Sequence, residues 1–169
     1  MLNNKKSLFA AILSLLLVLS GCNKMTNPYN QGSAEKKLID YWGDIEVVNE
    51  YIVSTGYSPV YIKKSNGYMY ADFMDVIIAD EKANKAIDRL LKTDCFISIS
   101  RHSNTIKYLL WSGYAETSCG IAYSINQTDL PDIEYVTELV PLSKDGWYYY
   151  IVDYNEWRLS RCTDEDHQH

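Results

Sequence analysis

Apolar residues recur at three- and four-residue steps across residues 34–55, where Leu38, Tyr41, Trp42, Ile45, Val48 and Ile52 form one stripe. That period places them on one face of a helix and sets Lys36, Asp40, Glu46 and Glu50 mostly opposite, so one long amphipathic helix is expected. Ser33 offers a side-chain acceptor to its first turn, and Gly56 tolerates the left-handed backbone of a helix end. A second helix is expected over 80–92, with Ala83, Ile87, Leu90 and Leu91 on one side and Asp80 as its cap.

Elsewhere the period is two. Residues 60–63 and 68–74 flank Asn66-Gly67, a turn pair suited to a hairpin because both residues tolerate positive φ. After the second helix, 96–100 alternates with Ile97 and Ile99 on one face, and 105–111 follows the turn His102-Ser103-Asn104. Ile121, Tyr123 and Ile125 share a face of the next strand, and 133–140 and 147–152 are joined around Asp145-Gly146. The predicted order is αββα followed by about five strands, an α+β fold with two helices packed on a mostly antiparallel sheet. No longer repeat is present.

The chain opens on a different pattern. Lys5 and Lys6 precede an uninterrupted apolar or small run over 8–19, which ends at Leu19-Ser20-Gly21-Cys22. The run is shorter than the roughly 20 residues a spanning helix needs, and its charged start, apolar centre and small final residues have the layout of a secretory signal. With a cysteine in that place, the segment closely resembles a bacterial lipoprotein signal, whose Leu-Ser-Gly-Cys lipobox directs acylation of the cysteine. The resemblance covers residues 1–22 and implies removal of 1–21, palmitate-type chains on Cys22, and attachment to an envelope membrane through them. In Gram-negative lipoproteins an Asp directly after the cysteine favours inner-membrane retention; Asn23 stands here, so a Gram-negative source implies the outer membrane, facing periplasm or exterior. Residues 22–33 are expected to be a lipidated tether, 34–160 a single α+β domain, and 161–169 an acidic flexible tail.

The formal charge is −6, and loss of Lys5 and Lys6 with the signal makes it two units more negative. Such a surface disfavours nucleic acid, whose binding depends on Lys and Arg displacing counterions, and suits a basic protein partner. With Cys22 acylated, Cys95, Cys119 and Cys162 remain, of which two are expected to pair in an oxidising compartment. Cys95 with Cys119 is the favoured disulfide, since both begin predicted strands; a staple from Cys162 to either is the alternative.

Candidate chemistry is sparse. His102 is the one histidine outside the last three residues, so Cys119 or Cys95 with His102 is the nucleophile–base pair to test. Ser118-Cys119-Gly120 is faintly similar to the Cys-Ser-Gly of cysteine cell-wall peptidases, but the residue order differs, and His102 precedes the cysteine where that family's histidine follows it. A Gly-x-Ser-x-Gly elbow, a Gly-rich phosphate loop and a zinc-protease helix are all missing, and no cofactor is implied. Asp72 with Asp75, and Asp153 with Glu156, read as solvated strand or turn positions rather than a glycosidase pair. Asp164, Glu165, Asp166, His167 and His169 carry metal-donor atoms, but a flexible terminus loses ordering entropy on closing such a site, so no metal is expected.

The remaining signal is aromatic. Tyr occurs 15 times, and alternation along 147–152 sends Trp147, Tyr149 and Ile151 to one face and Tyr148, Tyr150 and Val152 to the other. Tyr148, Tyr150, Tyr154 and Trp157 are the expected partner-contact residues, because Tyr offers apolar area and a hydroxyl at low entropic cost. These features favour a binding module over an enzyme: a membrane-anchored envelope lipoprotein that holds another protein, as an immunity or inhibitor protein holds a secreted toxin or lytic enzyme. The alternative is a structural or assembly lipoprotein of a larger envelope complex, and the third reading a cell-wall hydrolase using Cys119 and His102.

Overall fold

The structure, a computed structural model, describes residues 27–63, 66–92, 96–113 and 117–165, the last five by backbone alone. Cys22 with its lipobox, Cys95, and His167 and His169 lie outside the described residues, as does the side chain of Cys162. Among the described residues, helices α1 (Gln31–Asp40), α2 (Trp42–Thr55), α3 (Glu81–Lys92) and α4 (Tyr154–Glu165) accompany eight strands. The strands are β1 (Val60–Ile62), β2 (Tyr68–Ala71), β3 (Met74–Ile77), β4 (Ser98–His102), β5 (Thr105–Ser112), β6 (Thr117–Ser124), β7 (Val136–Pro141) and β8 (Trp147–Asp153). They form one sheet in the order β3-β2-β1-β4-β5-β6-β8-β7, with every neighbouring pair antiparallel. The α+β class and the five strands after α3 follow the sequence pattern; the finer order differs by a second N-terminal helix, a third strand before α3 and a final helix.

The expected helix over 34–55 is two helices, broken at Tyr41, whose backbone (φ −111°, ψ 15°) leaves the helical range. Two successive aromatic side chains have different destinations there. Tyr41 meets Phe96 edge-on at 5.9 Å, and Trp42 meets Trp147 edge-on at 6.0 Å. The first helix also begins earlier than Ser33 suggested, because Asn30 is the cap: its Oδ1 accepts from the Ser33 amide (2.9 Å) while Ser33 Oγ accepts from the Asn30 amide (2.8 Å). Asn27, within the expected tether, is tied to the domain: its Nδ2 donates to the Tyr149 hydroxyl (3.0 Å), which donates to the Tyr29 carbonyl (3.0 Å). Gly56 ends α2 in the left-handed conformation (φ 71°), and Asp80 Oδ1 caps α3 by accepting from the Ala83 amide (2.8 Å), both as expected.

The strand expected over 68–74 is a second hairpin. Asp72 (φ 47°) and Phe73 (φ 66°) turn the chain between Ala71 and Met74, which are cross-strand partners. Two adjacent positive-φ residues match the twist of a tight hairpin, but Asp-Phe lacks the glycine by which sequence reveals such a turn. Ile97 precedes β4 and is 41% exposed, so it does not share a buried face with Ile99. Finally, α4 carries the backbone through 161–165, across the expected start of the tail; Asp153 Oδ1 caps it, accepting from the Asn155 and Glu156 amides (2.9 and 3.0 Å).

The main core lies between α1, α2 and α3 and one face of the sheet, with Ile45, Ile52, Ile87, Leu90, Ile106 and Trp147 among its buried side chains. Tyr108, fully buried in the middle of β5, donates to Asn49 Oδ1 (2.7 Å) and so ties α2 to the sheet. Arg101 Nη1 donates to the Ile52 carbonyl (3.0 Å) at the end of α2. Arg89 Nε bonds Asp44 (2.9 Å) between α3 and α2, an exposed pair that adds orientation more than stability.

The other sheet face is partly covered. The segment 125–135 leaves β6 beside Asn104, whose carbonyl accepts from the Ile125 amide (2.8 Å), and runs back over the strands to bury Ile133 against Ala122 and Tyr150. Tyr150 lies here because β6 has a glycine opposite it: a Cβ on Gly120 would stand 2.3 Å from the Tyr108 carbonyl oxygen and 2.8 Å from the Tyr150 hydroxyl. Gly120→Ala is therefore expected to destabilise the domain by about 1–3 kcal/mol or more, as overpacking does. Urea unfolding with an unchanged midpoint would refute this close packing.

Candidate functional site

The sequence-selected residues do not converge. Cys119 is buried, a free thiol whose Sγ donates to Asn27 Oδ1 (3.1 Å) on the helix-covered face. The expected Cys95–Cys119 disulfide is thus not formed, because this sulfur points into the main core. Burial pushes the thiol from its ordinary 9.0 up to about 11, with hydrogen bonds to Tyr149 and Asn27 pulling the other way. Reactive cysteines need the opposite environment. His102 ends β4, paired with Thr105, which pairs in turn with Ser124. Cys119 is five residues back from Ser124 along β6, roughly 17 Å at the rise of a strand, so His102 is no base for it.

The expected partner-contact residues have structural positions. Tyr150 is 3% exposed, in the small core with Ala122 and Ile133, and offers no contact surface; this corrects the expectation. Burial raises its hydroxyl well above the ordinary range. Tyr148 is half-buried. Tyr154 and Trp157 clasp Tyr135, each with ring centroids 4.9 Å from it, and stack on one another at 6.2 Å, which holds α4 against the loop leading into β7.

The exposed tyrosines lie elsewhere on the same sheet face. Register places Tyr61, Tyr70 and Asp75 side by side across β1, β2 and β3, with Tyr68 and Ile77 paired in an adjoining row. Tyr61, Tyr68 and Tyr70 are each exposed by more than two fifths, Ile77 by 64%, and Phe73 by 83% at the adjoining turn. Their alternate neighbours Met69 and Ala71 are buried, so the strands themselves are well anchored. The signal was legible: Tyr61, Tyr68 and Tyr70 alternate with apolar residues on both sides of Asn66-Gly67. Without the sheet order, however, nothing distinguished this hairpin from the denser aromatic run in β8.

Beside this stripe a cleft of about 560 Å³ opens between β1, β4 and β5 and the segment holding Ile133. Ser98 and Ser100 on β4 and Lys107 and Leu109 on β5 belong to its lining, with Glu134 and Tyr135 opposite. Burial lowers the Lys107 ammonium, while Glu134 and Asp132 act against that shift. The three pieces form one surface: an aromatic platform, a hydroxyl-lined floor with the cations Arg101 and Lys107, and an acidic wall. Such a surface can take an irregular polypeptide with mixed polar and apolar groups. Among the described residues no cluster of His, Cys, Asp and Glu has the makings of a metal site.

No protein-family model, curated protein or solved structure matches the chain.

Cys119 in the folded domain is expected to resist iodoacetamide at pH 8 and to react once denatured, as read by peptide mass mapping. The raised thiol also sets a pH dependence. The unfolded chain loses this proton near 9 and the folded chain only near 11, so stability falls as pH rises through that window, and Tyr149, pushed up to about 12, continues the fall. A melting temperature constant from pH 9 to 11 would contradict the buried, neutral thiol.

Proposed function

We propose that the protein is a lipid-anchored component of a bacterial envelope that binds another protein through the face bearing Tyr61, Tyr68 and Tyr70. The exposed tyrosine stripe carries this reading. Aromatic area of this kind, next to hydrogen-bonding hydroxyls, is characteristic of the centres of protein interfaces. The lipobox supports the anchor. Among the described residues no helix is long and apolar enough to cross a membrane.

Position supports it as well. Asn27, the first described residue, contacts Cys119, whereas the β2–β3 turn extends past the level of Val60, Arg101, Ile106 and Tyr123, four residues further along β6. The chain therefore enters at one end of the strands and presents Phe73 at the other. An anchored receptor benefits from that polarity, since Phe73 and the turn beyond Tyr61 and Tyr70 face away from the tether. The acidic balance of the chain suits a basic ligand such as a secreted toxin or lytic enzyme, which the protein would hold inactive as an immunity or inhibitor protein does. A second reading, assembly into a larger envelope complex, is favoured by β3, an edge strand with Met74 and Ile77 exposed and neither Lys nor Pro to block strand addition.

Replacing Tyr61, Tyr68 and Tyr70 together by Ser is expected to leave stability within about 1 kcal/mol of the parent and to weaken the partner captured from envelope extract by about 30-fold or more. Undiminished capture by the folded variant would refute this face as the interface. A single stoichiometric partner fits protection, and a multi-component assembly fits the second reading. Cys22→Ala is expected to abolish acylation and leave an unprocessed precursor or a form released on washing. Continued processing with acyl label on the membrane fraction would overturn the anchor.

A further inference from the structure

On the helix-covered side a second pocket, of about 430 Å³, lies between α2 and the ends of β6 and β8. Trp42, Tyr123 and Trp147 give it an aromatic wall: the Trp42 and Trp147 centroids are 6.0 Å apart, and those of Tyr123 and Trp147 5.1 Å. Glu46 and Glu50, one helical turn apart on α2, and Asp145 on the β7–β8 turn supply three carboxylates to the same lining. All three residues are exposed and make no ion pair among the described residues. A fourth feature, just outside the lining, shows that the Trp42 ring already serves as a platform for a cation. Lys144, next to Asp145, places its own ammonium 4.5 Å from the centroid of the Trp42 ring.

Aromatic faces attract cations through the ring quadrupole, and carboxylates at the rim add a favourable field; together they select an organic cation over an anion or a neutral group. Inorganic cations fit less well, because the wall offers ring faces where a hard ion requires converging oxygens. From this arrangement we infer that the pocket receives the ammonium or guanidinium of a Lys or Arg side chain presented by the protein partner. The inference rests on the protein-binding reading above and gives that partner a chemical requirement. The location agrees with it: Tyr123 and Trp147 are register partners at the end of the sheet that carries the β2–β3 turn, away from Asn27. Trp147 is 2% exposed, so its ring is a preformed floor, whereas Trp42 and Tyr123 are half-buried and reachable.

The test uses the chain carrying Cys22→Ala, labelled with ¹⁵N and observed at the indole N–H resonances of Trp42 and Trp147. The probes are N-acetyl-lysine methylamide, N-acetyl-arginine methylamide, their neutral isostere N-acetyl-norleucine methylamide, and choline chloride. Saturable shifts of the indole signals with the lysine or arginine probe at low ionic strength are expected, with none from norleucine. Glu46→Gln with Glu50→Gln, isosteric changes at exposed positions, should weaken that binding about tenfold while the rest of the spectrum stays in place. Unmoved indole signals, equal shifts from norleucine, or an undiminished response in the double variant would overturn the site. A response to choline alone would overturn the side-chain source and assign the pocket to a free quaternary ammonium. Failure here with partner capture still dependent on Tyr61, Tyr68 and Tyr70 removes only this pocket, whereas a responsive pocket with capture indifferent to those tyrosines removes the earlier interface.

Discussion

The missing side chain at Gly120 is the constraint on which the centre of the molecule depends. β6 runs between β5 and β8, and at this point the Tyr108 carbonyl lies 2.3 Å, and the Tyr150 ring under 3 Å, from where any Cβ would sit. Because the ring fills that space, β8 buries aromatic residues on both faces: Trp147 and Tyr149 toward the helices, Tyr150 toward the 125–135 segment. A β strand with two apolar faces must be covered twice. The helices supply one cover and Ile133 supplies the other.

The second cover is smaller than the first, and that asymmetry is what produces a candidate interface. Ile133, Val136 and Leu139 reach only the β6–β8–β7 side of their face, so β1, β2 and β3 keep one side bare. Tyr61, Tyr68 and Tyr70 tolerate this exposure because a phenol has an apolar ring and a hydroxyl that stays hydrated. Leaving aliphatic side chains there would create the same area at greater risk of self-association. The bare part of the sheet and the aromatic–acidic pocket near α2 lie on opposite faces; the β2–β3 turn and that pocket lie toward one end, and the entering chain at Asn27 lies toward the other.

Asn27 adds an unexpected economy to the N-terminal side. One side chain accepts from Cys119 Sγ and donates to the Tyr149 hydroxyl, which in turn satisfies the Tyr29 carbonyl. Two core groups thus gain hydrogen-bond partners from the segment that precedes α1. This arrangement also explains why Cys119 suits neither a disulfide nor catalysis: its environment keeps the thiol neutral and its hydrogen bond keeps it turned inward.

By itself the sequence determined the class of the domain, the strands after the second helix, the caps at Gly56 and Asp80, and the expectation of a lipid anchor at Cys22. These are local matters, since periodicity, caps and signal segments are written in neighbouring residues. Tertiary structure decided the break at Tyr41, because its ring and that of Trp42 reach different parts of the core. It decided the turn at Asp72-Phe73, where the sheet's twist imposes positive φ on residues that seldom adopt it alone. It also decided which tyrosines meet solvent. Alternation divides Tyr148 and Tyr150 from Tyr149, and Tyr68 and Tyr70 from Met69, but it cannot say which face a distant segment will cover. That depended on Ile133 coming to rest over Ala122 and Tyr150 rather than over β2, a contact between residues of separate elements whose packing no local pattern encodes.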